Sequence, residues 1–136
     1  MNKFKIAALS TLLLSGLASA NPACDSFQLR IKNNLAEDLA ITKISLTGAK
    51  IQPGHFEVLK AKTEQVFTVN SSNENVRMDG EFNFHTISLP SKSVKIRYSL
   101  INSGMTCEHK EYSPDLDYAV EKTRNIGEVS YTISNK

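Results

Sequence analysis

The chain has 136 residues, 40% of them hydrophobic, with 16 basic residues against 14 acidic ones. The basic excess is Lys3 and Lys5, so residues 21–136 carry equal numbers of basic and acidic groups. That neutrality argues against non-specific nucleic-acid binding, which needs Lys and Arg to displace phosphate counterions, and 116 residues suit one domain.

Residues 1–20 read as a secretory signal peptide. Lys3 and Lys5 come first, an apolar run from Ile6 to Leu17 follows, and Ala18-Ser19-Ala20 supplies the small-x-small cleavage pattern. The run is interrupted by Ser10, Thr11, Ser15 and Gly16 and is too short for a membrane span of about 20 apolar residues. No later run is long enough, so the mature form is expected to lack a transmembrane segment. Lipid attachment at Cys24 is disfavoured, because Asn21 stands where a lipobox needs an aliphatic residue. An exported chain with two cysteines is expected to pair them, so Cys24 and Cys107 are assigned to one disulfide closing a loop of 84 residues. The spacing does not fit a redox or zinc motif, which needs paired cysteines.

From residue 27 onward, period-two alternation dominates. Phe27, Leu29 and Ile31 share one face, against Gln28, Arg30 and Lys32, and Asn33-Asn34 ends the strand with turn chemistry. In 39–46 the apolar set runs Leu39, Ile41, then Ile44, Leu46, a slip at Thr42-Lys43 that a β-bulge would absorb. Gly48 and Pro53-Gly54 punctuate the next stretch, and 56–58 is a short strand. A strand over 63–69 precedes the polar loop 70–75. Asp79-Gly80 reads as a tight turn before 81–89, which slips phase between Phe84 and Ile87 and stops at Pro90. Residues 93–101 alternate most cleanly, with Val94, Ile96, Tyr98 and Leu100 inward. Asn102-Ser103-Gly104 turns that strand into 105–112 as a hairpin. Ser113-Pro114 has N-cap chemistry, and Leu116, Ala119 and Val120 follow at helical spacing, which predicts one short helix or helical turn near 114–122. A strand over 128–134 closes the domain. Seven or eight short strands describe an all-β, antiparallel β-sandwich, Ig-like or related, over residues 21–136; the alternative is a small closed β-barrel.

The chemistry-bearing residues are scattered. His55, His85 and His109 lie in separate segments without metal-ligand spacing. Cys107 and His109 would share a strand face, but no third group orients them as a nucleophile and base. Asp115, Asp117 and Glu121 begin like a calcium loop, yet Ala119 and Val120 fall where an oxygen ligand and a glycine are required. No G-x-S-x-G occurs. No catalytic, metal or cofactor site is therefore assigned. Lys92, Lys95 and Arg97 cluster near one hairpin and, with His55 and the loop residues Asn73 and Asn75, make the candidate contact surface, since loops on a rigid scaffold carry function.

The resulting expectation is an exported, non-enzymatic binding protein of a bacterial periplasm or the extracellular space. Its partner would be a protein, a glycan or a lipid surface, with the oligomeric state open. The alternative is a toxin-like module that binds membranes, lipids or glycans. A small hydrolase or an inhibitor comes third.

Overall fold

The computed structural model describes residues 22–72, 76–112 and 117–136. The signal-peptide reading of residues 1–20 lies outside them. Ten strands follow in chain order: β1 (Gln28–Asn33), β2 (Leu39–Thr47), β3 (Lys50–Gln52), β4 (Val58–Leu59), β5 (Glu64–Asn70), β6 (Met78–Thr86), β7 (Ser93–Ser103), β8 (Thr106–Glu111), β9 (Ala119–Asn125) and β10 (Glu128–Ser134). They form two five-stranded sheets, β3-β5-β1-β10-β9 and β4-β2-β6-β7-β8. The architecture is a β-sandwich, not a closed barrel. β2, β6 and β7, nine or more residues each, form the long centre of the second sheet. One pair departs from the antiparallel expectation: β1 and β10 run parallel, with Leu29 opposite Val129 and Ile31 opposite Tyr131.

Two strands exceed the predicted seven or eight, and each has a physical cause. β3 is a three-residue edge segment hydrogen-bonded to β5 and too short to show alternation. β9 replaces the predicted helix. From Ala119 the chain is extended and pairs with β10, Val120 opposite Ile133 and Arg124 opposite Val129. The described residues contain no helix; of the predicted segment, 114–116 lie outside them. A neighbouring strand already packed in the sheet supplies a complete ladder of partners, and such tertiary pairing overrides weak local helical spacing.

The alternation elsewhere becomes the core. Leu29 and Ile31 of β1, Phe67 and Val69 of β5, and Val129, Tyr131 and Ile133 of β10 face Phe82 and Phe84 of β6 and Val94, Ile96, Tyr98 and Leu100 of β7. The phase slip in β2 is a bulge: pairing with β6 passes from Ile41 to Lys43 and leaves Thr42 without a cross-strand partner. The second predicted slip is absent. β6 starts earlier, at Met78, and Asp79-Gly80 lies within it, so Met78, Phe82, Phe84 and Thr86 are buried in one phase. Gly80 belongs there because the Tyr98 ring crosses it; a Cβ at Gly80 would collide with that ring. Glycine inside a strand marks such a close approach. Ile87 and Leu89, 56% and 47% exposed, then sit in the β6–β7 loop.

Asn33 joins the two sheets at one end. Its Nδ2 donates to the Leu59 carbonyl at 2.9 Å and the Glu37 carbonyl at 3.0 Å, and its Oδ1 accepts from the Leu35 amide at 3.0 Å. The side chain is buried, so Asn33→Ala would leave these backbone groups without partners. We expect a loss of about 2 kcal/mol in urea denaturation, with Asn33→Asp failing similarly because it donates nothing to the two carbonyls.

Candidate functional site

The long unpaired edges of the two sheets, β8 and β9, lie on the same side of the sandwich. The disulfide fixes that side from below: Cys24 and Cys107 are bonded and buried, and the Cys24 amide donates to Asn102 Oδ1 at 2.7 Å. The register sets what faces inward. Cys107 and His109 of β8 are opposite Asn102 and Leu100 of β7. Lys122 and Arg124 of β9 are opposite the buried Tyr131 and Val129. Inward-pointing cations on an edge strand oppose pairing with another chain, so part of this arrangement is protective.

His109 sits between two nearly parallel rings, Phe27 at 6.3 Å and Tyr98 at 6.2 Å between centroids. Its Nε2 contacts the Tyr131 hydroxyl, and its Nδ1 is buried without a hydrogen-bond partner among the described residues. Burial lowers the pKa of His109 to about 4, and the cations of Lys122 and Arg124 lower it further in the same sense. Burial also raises the Tyr131 hydroxyl above the ordinary tyrosine range, with Glu111 and Tyr98 acting in the same direction. A neutral imidazole against a phenol that resists ionisation is suited to packing. Among the described residues no group of three or more His, Cys, Asp or Glu is placed to hold a metal ion.

Arg124 closes the seam. Its guanidinium lies 4.9 Å from the centre of the Phe27 ring, donates to the Cys107 carbonyl at 2.7 Å and to the Glu128 carbonyl at 2.9 Å, and contacts the Asn125 carbonyl. Beside it is a groove of about 590 Å³ flanked by Met105, Ile126 and Ala23. Met105 and Ile126 are 98% and 104% exposed, the two most exposed large apolar residues described. Each occupies a two-residue hairpin turn, Gly104-Met105 between β7 and β8 and Ile126-Gly127 between β9 and β10. The glycines take the left-handed conformation each turn needs, φ 62° at Gly104 and 72° at Gly127. The backbone therefore does not require a large apolar residue at either neighbouring position.

The residues singled out in the sequence do not gather here. Arg97 and Lys95 lie on β7. Arg97 is committed to Glu81 at 2.9 Å, and Lys43 reaches the same carboxylate at 3.1 Å. Burial opposes ionisation of Glu81, but bonds from Arg97, Lys43 and Asn83 hold its pKa below the usual range. Lys92 is in the β6–β7 loop at the end opposite Met105. His55, its side chain 85% exposed, lies between β3 and β4 with Glu57 at 3.7 Å. Asn73 and Asn75 fall outside the described residues. Met105 and Ile126 carried no signal in the sequence, since only the pairing of edges from two sheets brings them to one groove.

No protein-family model matches the chain, and no curated protein matches it.

Proposed function

We propose that this protein is an exported, non-catalytic binding module, an Ig-like or related sandwich working in the periplasm or outside the cell. Its contact surface is the end that carries Met105 and Ile126. The carrying observation is that two hairpin tips from different sheets each put a large apolar side chain into water beside one groove. A single exposed apolar residue is ordinary, but a convergent pair that the turns do not need is what an interaction surface looks like. The buried disulfide and the pattern of residues 1–20 support export.

The test is retention of the oxidised protein on isolated cell-envelope material. Met105→Asp combined with Ile126→Asp should reduce retention about tenfold or more, the equivalent of losing one buried apolar side chain. Ile87→Asp with Leu89→Asp, at the opposite end, should leave it intact. Equal loss from the two pairs would place the contact elsewhere or make it non-specific.

A further inference from the structure

We infer that the open edge of β8 pairs with the same edge of a second copy of this chain, antiparallel and centred on His109, so that two sandwiches share one continuous sheet. The pairing is independent of the Met105 and Ile126 surface.

β8 lies at the end of its sheet, beside β7. The Tyr112 amide donates to the Arg97 carbonyl at 2.7 Å. Bonding alternates along an antiparallel ladder, so Thr106, Glu108 and Lys110 exchange bonds with β7, and Cys107, His109 and Glu111 turn their N–H and C=O groups to the open side. Such a row of backbone groups is a template for another strand. The edges on the far side of the sandwich, β3 and β4, are three and two residues long, too short to serve in the same way.

Charge decides which strand fits. In a two-fold antiparallel pair, each residue lies opposite the one equally far beyond the centre, on the same face. Centred on His109, β8 sets Glu108 opposite Lys110 of the second copy, and Lys110 opposite Glu108 of the second copy. Both residues are exposed, and neither forms an ion pair among the described residues. They meet at the non-hydrogen-bonded positions, where side chains on paired strands come closest. On the inner face, the same register brings Glu111 of the second copy opposite Cys107, whose carbonyl accepts from Arg124 at 2.7 Å. An acid therefore arrives beside that cation. Arg124 reaches the oxygen from between the sheets, over the Phe27 ring, and a carbonyl has two lone pairs, so the Cys107 carbonyl can still accept from a second strand.

Moving the centre by one residue destroys the match, because Glu108 or Lys110 then opposes itself. β9 has no such register. Centred on Lys122 or Glu121 it sets a charge against its own copy, and centred on Thr123 it sets Lys122 against Arg124. Of the two long edges, β8 is the self-complementary one. A single strand pair buries less than about 1,200 Å², so the association is weak and depends on concentration.

Sedimentation equilibrium of the oxidised protein from about 10 µM to about 1 mM should show monomer passing to dimer. Glu108→Lys or Lys110→Glu alone sets like charges opposite at both positions and should weaken the dimer about tenfold or more. Mixing these two variants should restore association, since every opposed pair is then of opposite sign. Glu108→Lys combined with Lys110→Glu in one chain should restore it too. The His109 amide should exchange with solvent more slowly at the high concentration than at the low one. Met105→Asp with Ile126→Asp should associate like wild type. Urea midpoints matching wild type would show that each variant is folded. A wild type that stays monomeric throughout overturns the inference. So does a dimer that is indifferent to Glu108→Lys, is lost in the tip variant, or fails to return on mixing.

Discussion

Replacing Cys24 and Cys107 together by alanine is expected to lower stability by up to about 4.5 kcal/mol, from the chain entropy of the 84-residue loop. Alanine is the appropriate replacement, because both sulfurs are buried and serine hydroxyls would add an unrelated desolvation cost. The bond acts on the unfolded chain by restricting it, and on the native fold by holding the segment before β1 against β8. That second role matters here, since Phe27 and Ala23, on either side of Cys24, line the aromatic seam and the groove. A loss of this size is a large share of the roughly 5–15 kcal/mol that holds a typical domain together. The measurement is urea denaturation of wild type, reduced wild type and the double variant. The midpoint should fall by up to about 2 M, for a slope of about 2 kcal/mol per molar. Reduced wild type and double variant should coincide. A shift of less than about 0.5 M would mean that the unfolded chain is already restricted without the bond.

Where each residue's face is decided by a core on one side and water on the other, the fold was legible. Val94, Ile96, Tyr98 and Leu100 alternate with polar neighbours, and all four are buried in β7. The phase slip at Thr42 is visible because the apolar positions flanking it are unambiguous, and it is a bulge. The misreadings fall where that contrast fails. β9 carries Lys122 and Arg124 inward and Glu121 and Thr123 outward, so both faces read as polar and no strand period shows. The edge position allows this: the inner face opens there, and Arg124 lays its guanidinium on Phe27 while its donors reach three carbonyls. Asp79-Gly80 carries turn chemistry, but its glycine is required by a ring eighteen residues later in sequence, Tyr98. The candidate site was the least legible of all. Met105 read as the first residue of a strand, and Ile126 fell in a connection before Gly127. Only the meeting of β8 and β9 across the two sheets makes them neighbours, and no local pattern encodes a meeting between sheets.

The same seam makes stability depend on pH through His109. Its pKa is lowered to about 4 in the folded protein, chiefly by burial, against about 6.5 in the unfolded chain. The unfolded chain therefore takes up the proton first as pH falls. Stability is full above about pH 7, declines as pH drops through about 6.5, and stops declining once the folded form is protonated, near pH 4. The loss is about 2 kcal/mol at pH 5 and about 3 kcal/mol when complete. The charged groups around the ring deepen the penalty, and a backbone contact at His109 offsets it only in part. Lys122 and Arg124 face it from β9 and repel an imidazolium. Tyr98 of β7 and Tyr131 of β10 are neutral, and Phe27 offers only a ring face. Glu111, two residues along β8, is the acid on its face, and its influence is registered at Tyr131. His109→Gln keeps a polar group beside the Tyr131 hydroxyl but cannot take the proton. Urea denaturation at pH 8 and pH 5 should show wild type losing about 2 kcal/mol more than His109→Gln over that interval. Parallel losses in the two proteins would remove His109 as the cause. Because protonation places a third positive charge between β8 and β9, the first strands to lose amide protection in hydrogen exchange at pH 5 should be these two edges, with β1, β6 and β7 protected longest. Loss of protection beginning instead at the β3–β4 side would show that acid opens the sandwich from the edge that His109 does not touch.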